Sequence, residues 1–449
     1  MSALEEARDR FLRDLSARPA PSADEPAFLE RLRREGREAF AARGLPHSKL
    51  EEWRYTNLEA LARVPFEAPP EGPAGVDRAA VERLSFPVFA CSLYVFVNGR
   101  FAPELSSPRA LAGGVRAESL AGLGADAARL EGSLGGLCDP KEHPFAALNT
   151  AFLEDGAVLE LPRGAQLDQA VHLVFVTSAQ APVATHPRVL VRAGAGSRAT
   201  VIQDHVSLCG DAEHLTNAVT EVELEADASL DLVLLEREAA PCFLVSNLAC
   251  RQARDSRFTA HTVTLGGRLV RNDASVLLAE EGAECALRGL FVGADRDVLD
   301  NHTLVDHAVP HGTSHELYKG ILGGRSRGVF RGRVRVRPDA QKTVADQSNP
   351  NLLLADGAEI DTKPQLEIHA DDVKCSHGSA IGRIEPDALF YLRTRGIPEP
   401  LARRLLTEGF AWEILSALPH PALGEALGAL LAERLEAAHD AGGRPEEAR

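Results

Sequence analysis

No stretch of this sequence reaches the roughly 18 uninterrupted apolar residues of a membrane-spanning helix. The opening MSALEEARDRFLRDL alternates charges and has no apolar core of the secretory kind, so a cytosolic protein is expected. An excess of basic residues is lacking too. The chain carries 49 Lys and Arg against 65 Asp and Glu, a formal net charge of −16. Nucleic-acid binding, which needs a basic face for phosphate, is disfavoured. No C-x-x-C occurs among Cys91, Cys138, Cys209, Cys242, Cys250, Cys285 and Cys375. With an odd number of cysteines in a reducing compartment, a disulfide framework is not expected, and core filling is the default for each. Missing as well are GxxxxGK[ST], HExxH and a GxGxxG placed between strand and helix. Nothing nominates a self-contained active site.

What is present falls into three textures. Residues 1–80 read as a helical region. Phe11, Leu12 and Leu15 recur at helical spacing, and a second helix is expected over Asp24–Arg43, capped by Asp24 with Pro26 in its first turn. Its Phe28, Leu29, Leu32 and Phe40 should face inward. Val64–Gly75 is rich in Pro and Gly and reads as a linker. Residues 81–384 read as mainly β. SLYVFVNGRF (Ser92–Phe101) is strand, turn and strand, and short β-like runs then follow one another from Val158 to Ile384. Turns such as AGAGSRA, EADASLD, QARDSRF and EEGAECA each precede a strand, the later ones about 28 residues apart, an interval typical of stacked repeats. Such coils bury their inward side chains only by stacking, so a β-solenoid is expected ahead of a sandwich. Residues 385–440 read as helical again: Asp387–Arg395, a helix from Pro398 to Leu418 with Leu401, Leu405 and Phe410 on one side, and a last helix carrying Leu423, Leu427, Leu430 and Leu435. The polar tail 441–449 is expected to be disordered.

Chemistry concentrates in Leu366–Gly382, LEIHADDVKCSHGSAIG. In an extended segment, residues two apart share a face, so Cys375 and His377 project together, about 7 Å apart at Cα. Thiolate and imidazole both ligate iron, and the neighbouring Lys374 should favour the thiolate. Two ligands make half of a four-coordinate site, the rest to come from another chain. A second cluster, His302, His307, His311 and His315, has no helical register because Pro310 and Gly312 interrupt it. These histidines have no assigned role, and Asp371/Asp372 reads as turn-making.

The stretch Gln341–Phe410 closely resembles the C-terminal signature shared by SufB and SufD, the paired subunits of the SUF iron–sulfur assembly system. Weaker resemblance runs through NHTLVDHAVPHGTSHELYKGIL and KEHPFAALNTAFLEDGAVLELP. HSKLEEWRYTNL (His47–Leu58) and the overall length resemble the SufD branch. The resemblance implies a right-handed parallel β-helix flanked by helical regions, and a scaffold subunit without catalysis of its own. It implies a SufB-like partner, a SufC-like ABC ATPase docked on the C-terminal helices near Leu401, Leu405 and Phe410, and a sulfur donor system acting indirectly. The implied cargo is a nascent iron–sulfur cluster, transient and shared with SufB, with the family histidine falling on His377 beside Cys375. Reduced flavin accompanies such complexes, but no residue here marks a flavin site. The rival readings are a SufB-like or homodimeric scaffold, a β-helical carbohydrate-active enzyme and a purely structural solenoid.

Overall fold

The computed structural model describes every residue except 1, 17–23, 71, 74, 87–90, 209 and 441–449, and only the backbone of residues 439 and 440. Cys209, parts of the Val64–Gly75 linker and the 441–449 tail lie outside the described residues. The rest is a β-solenoid of about eight turns with helices at both ends. Two sheets of 10 and 11 strands form its walls. The first runs from Cys91–Val97 through strands beginning at Ala170, Arg198, Ser229, Arg257, Glu284, Thr313 and Val344 to Lys374–Gly382. The second alternates with it, from Gly156–Leu161 to Arg327–Val336, whose outer edge is covered by Glu359–Thr362 and Gln365–Ile368. Consecutive rungs of each wall pair in parallel and nearly always without offset, so each inward side chain stacks on its equivalent one coil away.

The repeating turns are corners. A left-handed residue sits two positions before successive strands of the first wall: Gly196, Asp227, Asp255, Gly282, His311 and Lys342 all have positive φ. Gly and Asp tolerate this conformation best, which is why the turns were visible as Gly- and Asp-bearing strings. At His311 and Lys342 the same corner is made by residues that give no such signal.

The N-terminal helices are Ala3–Ser16 and Ala27–Arg43. The second starts three residues later than expected: Pro26 holds the cap position in extended conformation, and no side chain caps it. Phe28, Leu29 and Phe40 are buried and Leu32 packs beside them. A helix without a sequence expectation, Pro144–Ala151, is buried along its whole length against the second wall. It is locked there by a buried ion pair. Arg188 donates to Glu221 at 2.7 Å and to Asn149 at 3.1 Å, while backbone N–H groups of Gly135, Leu137 and Cys138 donate to the same Glu221 carboxylate.

The segment HSKLEEWRYTNL docks on the second wall. Arg271 is buried 3.9 Å over the Trp53 ring and donates to Asp273 and Asp300, and the Thr56 hydroxyl donates to Asp300. At the other end, helices Glu399–Leu415 and Pro421–Asp440 lie along the first wall, and Pro386–Thr394, with no buried residue, packs on the first of them. Leu415, Leu423, Leu427, Leu431 and Leu435 cover Val233, Leu235, Val263, Leu290, Val292 and Ile321 on its outer face. Leu431 belongs to that stripe as well, and the expected Leu430 packs against it half-buried.

Candidate site at the open end of the solenoid

LEIHADDVKCSH is not one extended strand. Gln365–Ile368 belongs to the second wall, residues 370–373 turn the corner, and Lys374–Gly382 belongs to the first. Asp372 sits in that turn and pairs with Lys342. Cys375 and His377 fall within the final strand, where alternation gives them one face. That face is fixed by register: Cys375 stacks on Ala345, His377 on Gln347, Ser379 on Asn349 and Ile381 on Asn351. All four residues below are buried, so the pair faces the solenoid interior. Among the described residues the final strand has a partner on one edge only, so the other presents its backbone N–H and C=O groups.

The interior changes character toward this end. The column through His377 reads Val201, Leu232, Ala260, Leu287, Glu316, Gln347, His377. Four apolar rungs give way to three polar ones. Glu316 is buried and accepts from the Thr303 hydroxyl at 3.1 Å and from the Gln347 amide nitrogen. Burial pushes its carboxyl up to about 7, against the pull of those two donors. His377 is exposed at the top of the column.

Cys375 is half-buried against Val334, Val336, Ala340, Ala345 and Ala370. Burial raises its thiol above the usual range, opposed by the Ala345 backbone. The expected help from Lys374 does not arise, because that side chain sits on the opposite face of the strand.

The histidine cluster disperses. His302 lies on the outer face of the second wall, 2.9 Å from Asp300. His307 is buried and bonds the Ser314 hydroxyl at 2.9 Å. His311 is a corner residue, and His315 pairs with Asp346. Among the described residues, no three His, Cys, Asp or Glu side chains converge as metal ligands. The nucleophile-elbow letters G-x-S-x-G were expected to be absent as well, yet Gly324–Gly328, GRSRG, carries them. Its Ser326 is buried at a solenoid corner and donates to the Gly323 carbonyl at 2.7 Å. A strand follows instead of a helix, so this serine closes a turn.

On the C-terminal helices, Leu401 and Leu405 are exposed. Phe410 instead packs on the wall: Lys319 Nζ lies 4.4 Å above its ring and donates to its carbonyl at 3.0 Å. Phe390, Tyr391 and Trp412 are exposed as well, and sequence periodicity did not single them out.

The model described as the SUF system FeS cluster assembly, SufBD core domain, matches residues 175–410, and that of the SufBD protein N-terminal region matches 17–173. The chain belongs to the SufBD family of iron–sulfur cluster assembly proteins. A SufBD family protein of Synechocystis is 34% identical over 420 residues, 92% of each chain. The iron–sulfur cluster assembly protein SufD of Escherichia coli is 32% identical over 396 residues, 87% of this chain and 90% of its own. SufD of Bacillus subtilis is 25% identical over 279 residues, 62% and 64% of the two chains. The core match covers the solenoid from Phe175 to its end and runs into the C-terminal helices, and HSKLEEWRYTNL falls within the N-terminal match. No helix among the described residues is long and apolar enough to cross a membrane.

Proposed function

We propose that this SufBD protein is the SufD-like scaffold subunit of an assembly with a SufB-like chain and a SufC-like ABC ATPase. A nascent iron–sulfur cluster forms where the open end meets the SufB-like partner. The observation that carries this reading is the final strand: one unpaired edge, with Cys375 and His377 on one face of it. An unpaired edge is a ready template for a second chain, and two ligands are completed by ligands from that chain. His377 serves as the principal ligand to cluster iron and Cys375, with its raised thiol, as the lesser one. The chain itself is non-catalytic, and ATP hydrolysis in the partner drives rearrangement of the interface. Leu401 and Leu405, with Phe390, Tyr391 and Trp412, form the docking face for the ATPase, and Phe410 supports it from below.

The test is anaerobic co-expression with the candidate partners, then native mass and iron and sulfide content. The expected result is a heteromeric complex of all three chains. His377→Ala leaves assembly intact and lowers cluster content at least about tenfold. Leu401→Asp with Leu405→Asp releases the ATPase. Truncation after Arg383 is a poorer probe, because it uncovers the outer wall at Val233, Leu235, Val263 and Leu290. A His377→Ala complex with full cluster removes the ligand role. A homodimer that excludes the SufB-like chain replaces the heteromeric reading.

A further inference from the structure

The three polar rungs beneath the open end are arranged around one amide. Gln347 is 2% exposed, in register with Glu316 below and His377 above. Its Nε2 donates to Glu316 Oε2, the same oxygen that accepts from the Thr303 hydroxyl at 3.1 Å. This orients the amide, because a carboxylate oxygen that accepts must face the nitrogen. The carbonyl end is left over. Gln347 Oε1 is buried and, like Glu316 Oε1 one rung below, has no hydrogen-bond partner among the described residues; of the two it is the one on the rung next to His377. A buried acceptor without a donor is costly, and few are kept without a use.

The slot for this amide is also built from the opposite wall. A Cβ placed on Gly332 would lie 2.1 Å from Gln347 Nε2, so a side chain there would push the amide away from Glu316. Gly332 thus leaves the room that the amide occupies.

In-register neighbours on parallel strands lie about 4.8 Å apart, so the His377 ring is within one rotamer of the orphaned oxygen. A ligating histidine characteristically donates its other ring N–H to a carbonyl or carboxylate, which fixes the tautomer and turns the lone pair toward the metal. We infer that Gln347 is the positioning residue for His377: its Oε1 accepts one ring N–H, and Glu316 with Thr303 holds the amide in the orientation that makes this bond. The inference rests on the ligand role proposed for His377. The polar rungs then have a reason to stand where the interior column would otherwise continue with leucine.

Two measurements test it separately from that role. The first uses the full chain without partners, labelled with ring-15N histidine, and His377→Ala identifies the His377 signals. The neutral His377 ring is expected as one tautomer in the parent chain and as a solvent-like mixture in Gln347→Met. A mixture already present in the parent overturns the inference, whatever the cluster does. The second uses the co-expressed complex. Gln347→Met lowers iron and sulfide about tenfold with assembly intact. The swap Glu316→Gln with Gln347→Glu reverses donor and acceptor between the two rungs and leaves an oxygen facing His377. It restores both the single tautomer and cluster content to within about threefold of the parent, a recovery that packing alone does not give. Full cluster in Gln347→Met, or no recovery in the swap, overturns the positioning role. If Gln347→Met does not fold, the parent tautomer and the swap still decide it. Full cluster in His377→Ala removes the ligand reading instead and leaves the tautomer result standing.

Discussion

Cys285 and Cys375 belong to the same inward column of the same wall, with Ser314 and Ala345 between them. Residue type, strand and direction are alike, yet the environments differ. Cys285 is covered on every side, and burial drives its thiol far above the ordinary range. Cys375 has a rung below it and, among the described residues, none above, so it is half-buried and its thiol is raised less. The same contrast separates Leu287 from His377 in the adjacent column. In a solenoid, each rung's environment is supplied by its neighbours. Chemistry is therefore available at an end and suppressed in the middle, and an end rung keeps its polar side chains because no later coil buries them.

The contrast breaks most visibly in stability. Leu287→Ala removes a fully buried side chain from a middle rung and should cost about 2–5 kcal/mol. Ile381→Ala at the open end, where the side chain is 53% exposed, should cost under about 1 kcal/mol in the isolated chain. Urea unfolding of the two variants decides it. Equal losses would mean that a further element of this chain covers the open end in solution.

A smaller effect separates the two thiols. Cys285→Ser buries a hydroxyl between Phe258 and Ser314 and should cost about 1–3 kcal/mol. Cys375→Ser should stay within about 0.5 kcal/mol. Alkylation followed by peptide mapping gives a second reading. Cys375 and the half-buried Cys91 should react in the native chain, while Cys138, Cys242, Cys250 and Cys285 react only on unfolding. A native Cys285 that reacts as fast as Cys375 removes the distinction.

Much of this was legible in the sequence because repetition amplifies weak signals. Corners at Gly196, Asp227, Asp255 and Gly282 announce themselves by residue type, and their spacing sets the coil length. The same-face placement of Cys375 and His377 followed from period-two alternation alone. Other features are long-range and leave no local trace. The Pro144–Ala151 helix is buried on all sides, so it shows no amphipathic period. Phe410 looked like part of a free stripe, and only its contact with Lys319, 91 residues away, shows that the wall claims it. Lys374 does not favour the Cys375 thiolate, because adjacency in sequence is opposition in a strand. Gln347 and Gly332 belong to different walls, and no spacing rule joins them.

The smallest predicted effect concerns how the two environments titrate. Glu236 lies inside the middle of the solenoid, where burial pushes its carboxyl up to about 7 despite hydrogen bonds from the Thr264 hydroxyl at 2.5 Å and Asn272 Nδ2 at 3.0 Å. Glu367 lies on the last rung of the second wall. Burial raises it too, but Arg335 and Arg333, 3.1 and 3.5 Å away, outweigh that and hold it below the ordinary value. The signs are opposite. Between 4.5, the ordinary glutamate value, and about 7, the folded state binds more protons at Glu236 than the unfolded state does. Glu236 therefore contributes stability that is lost as pH rises through that window, while the buried His205, His261 and His307, lowered to about 4, contribute in the opposite sense below 6.5. Glu238 and Glu316, also raised to about 7, add to the Glu236 contribution. Glu236→Gln should remove one of these three carboxyl contributions, so the variant loses less stability than the parent, or gains more, between pH 5 and pH 7. Glu367→Gln should leave the parental difference unchanged, because the contribution of a depressed carboxyl is complete above its unfolded value and is lost only as pH falls through the folded one. Urea unfolding of the parent and both variants at pH 5 and pH 7 measures this. A Glu236→Gln chain with the parental slope would mean that water reaches the middle rungs and screens them as it does the end. The contrast between middle and end would then rest on packing alone.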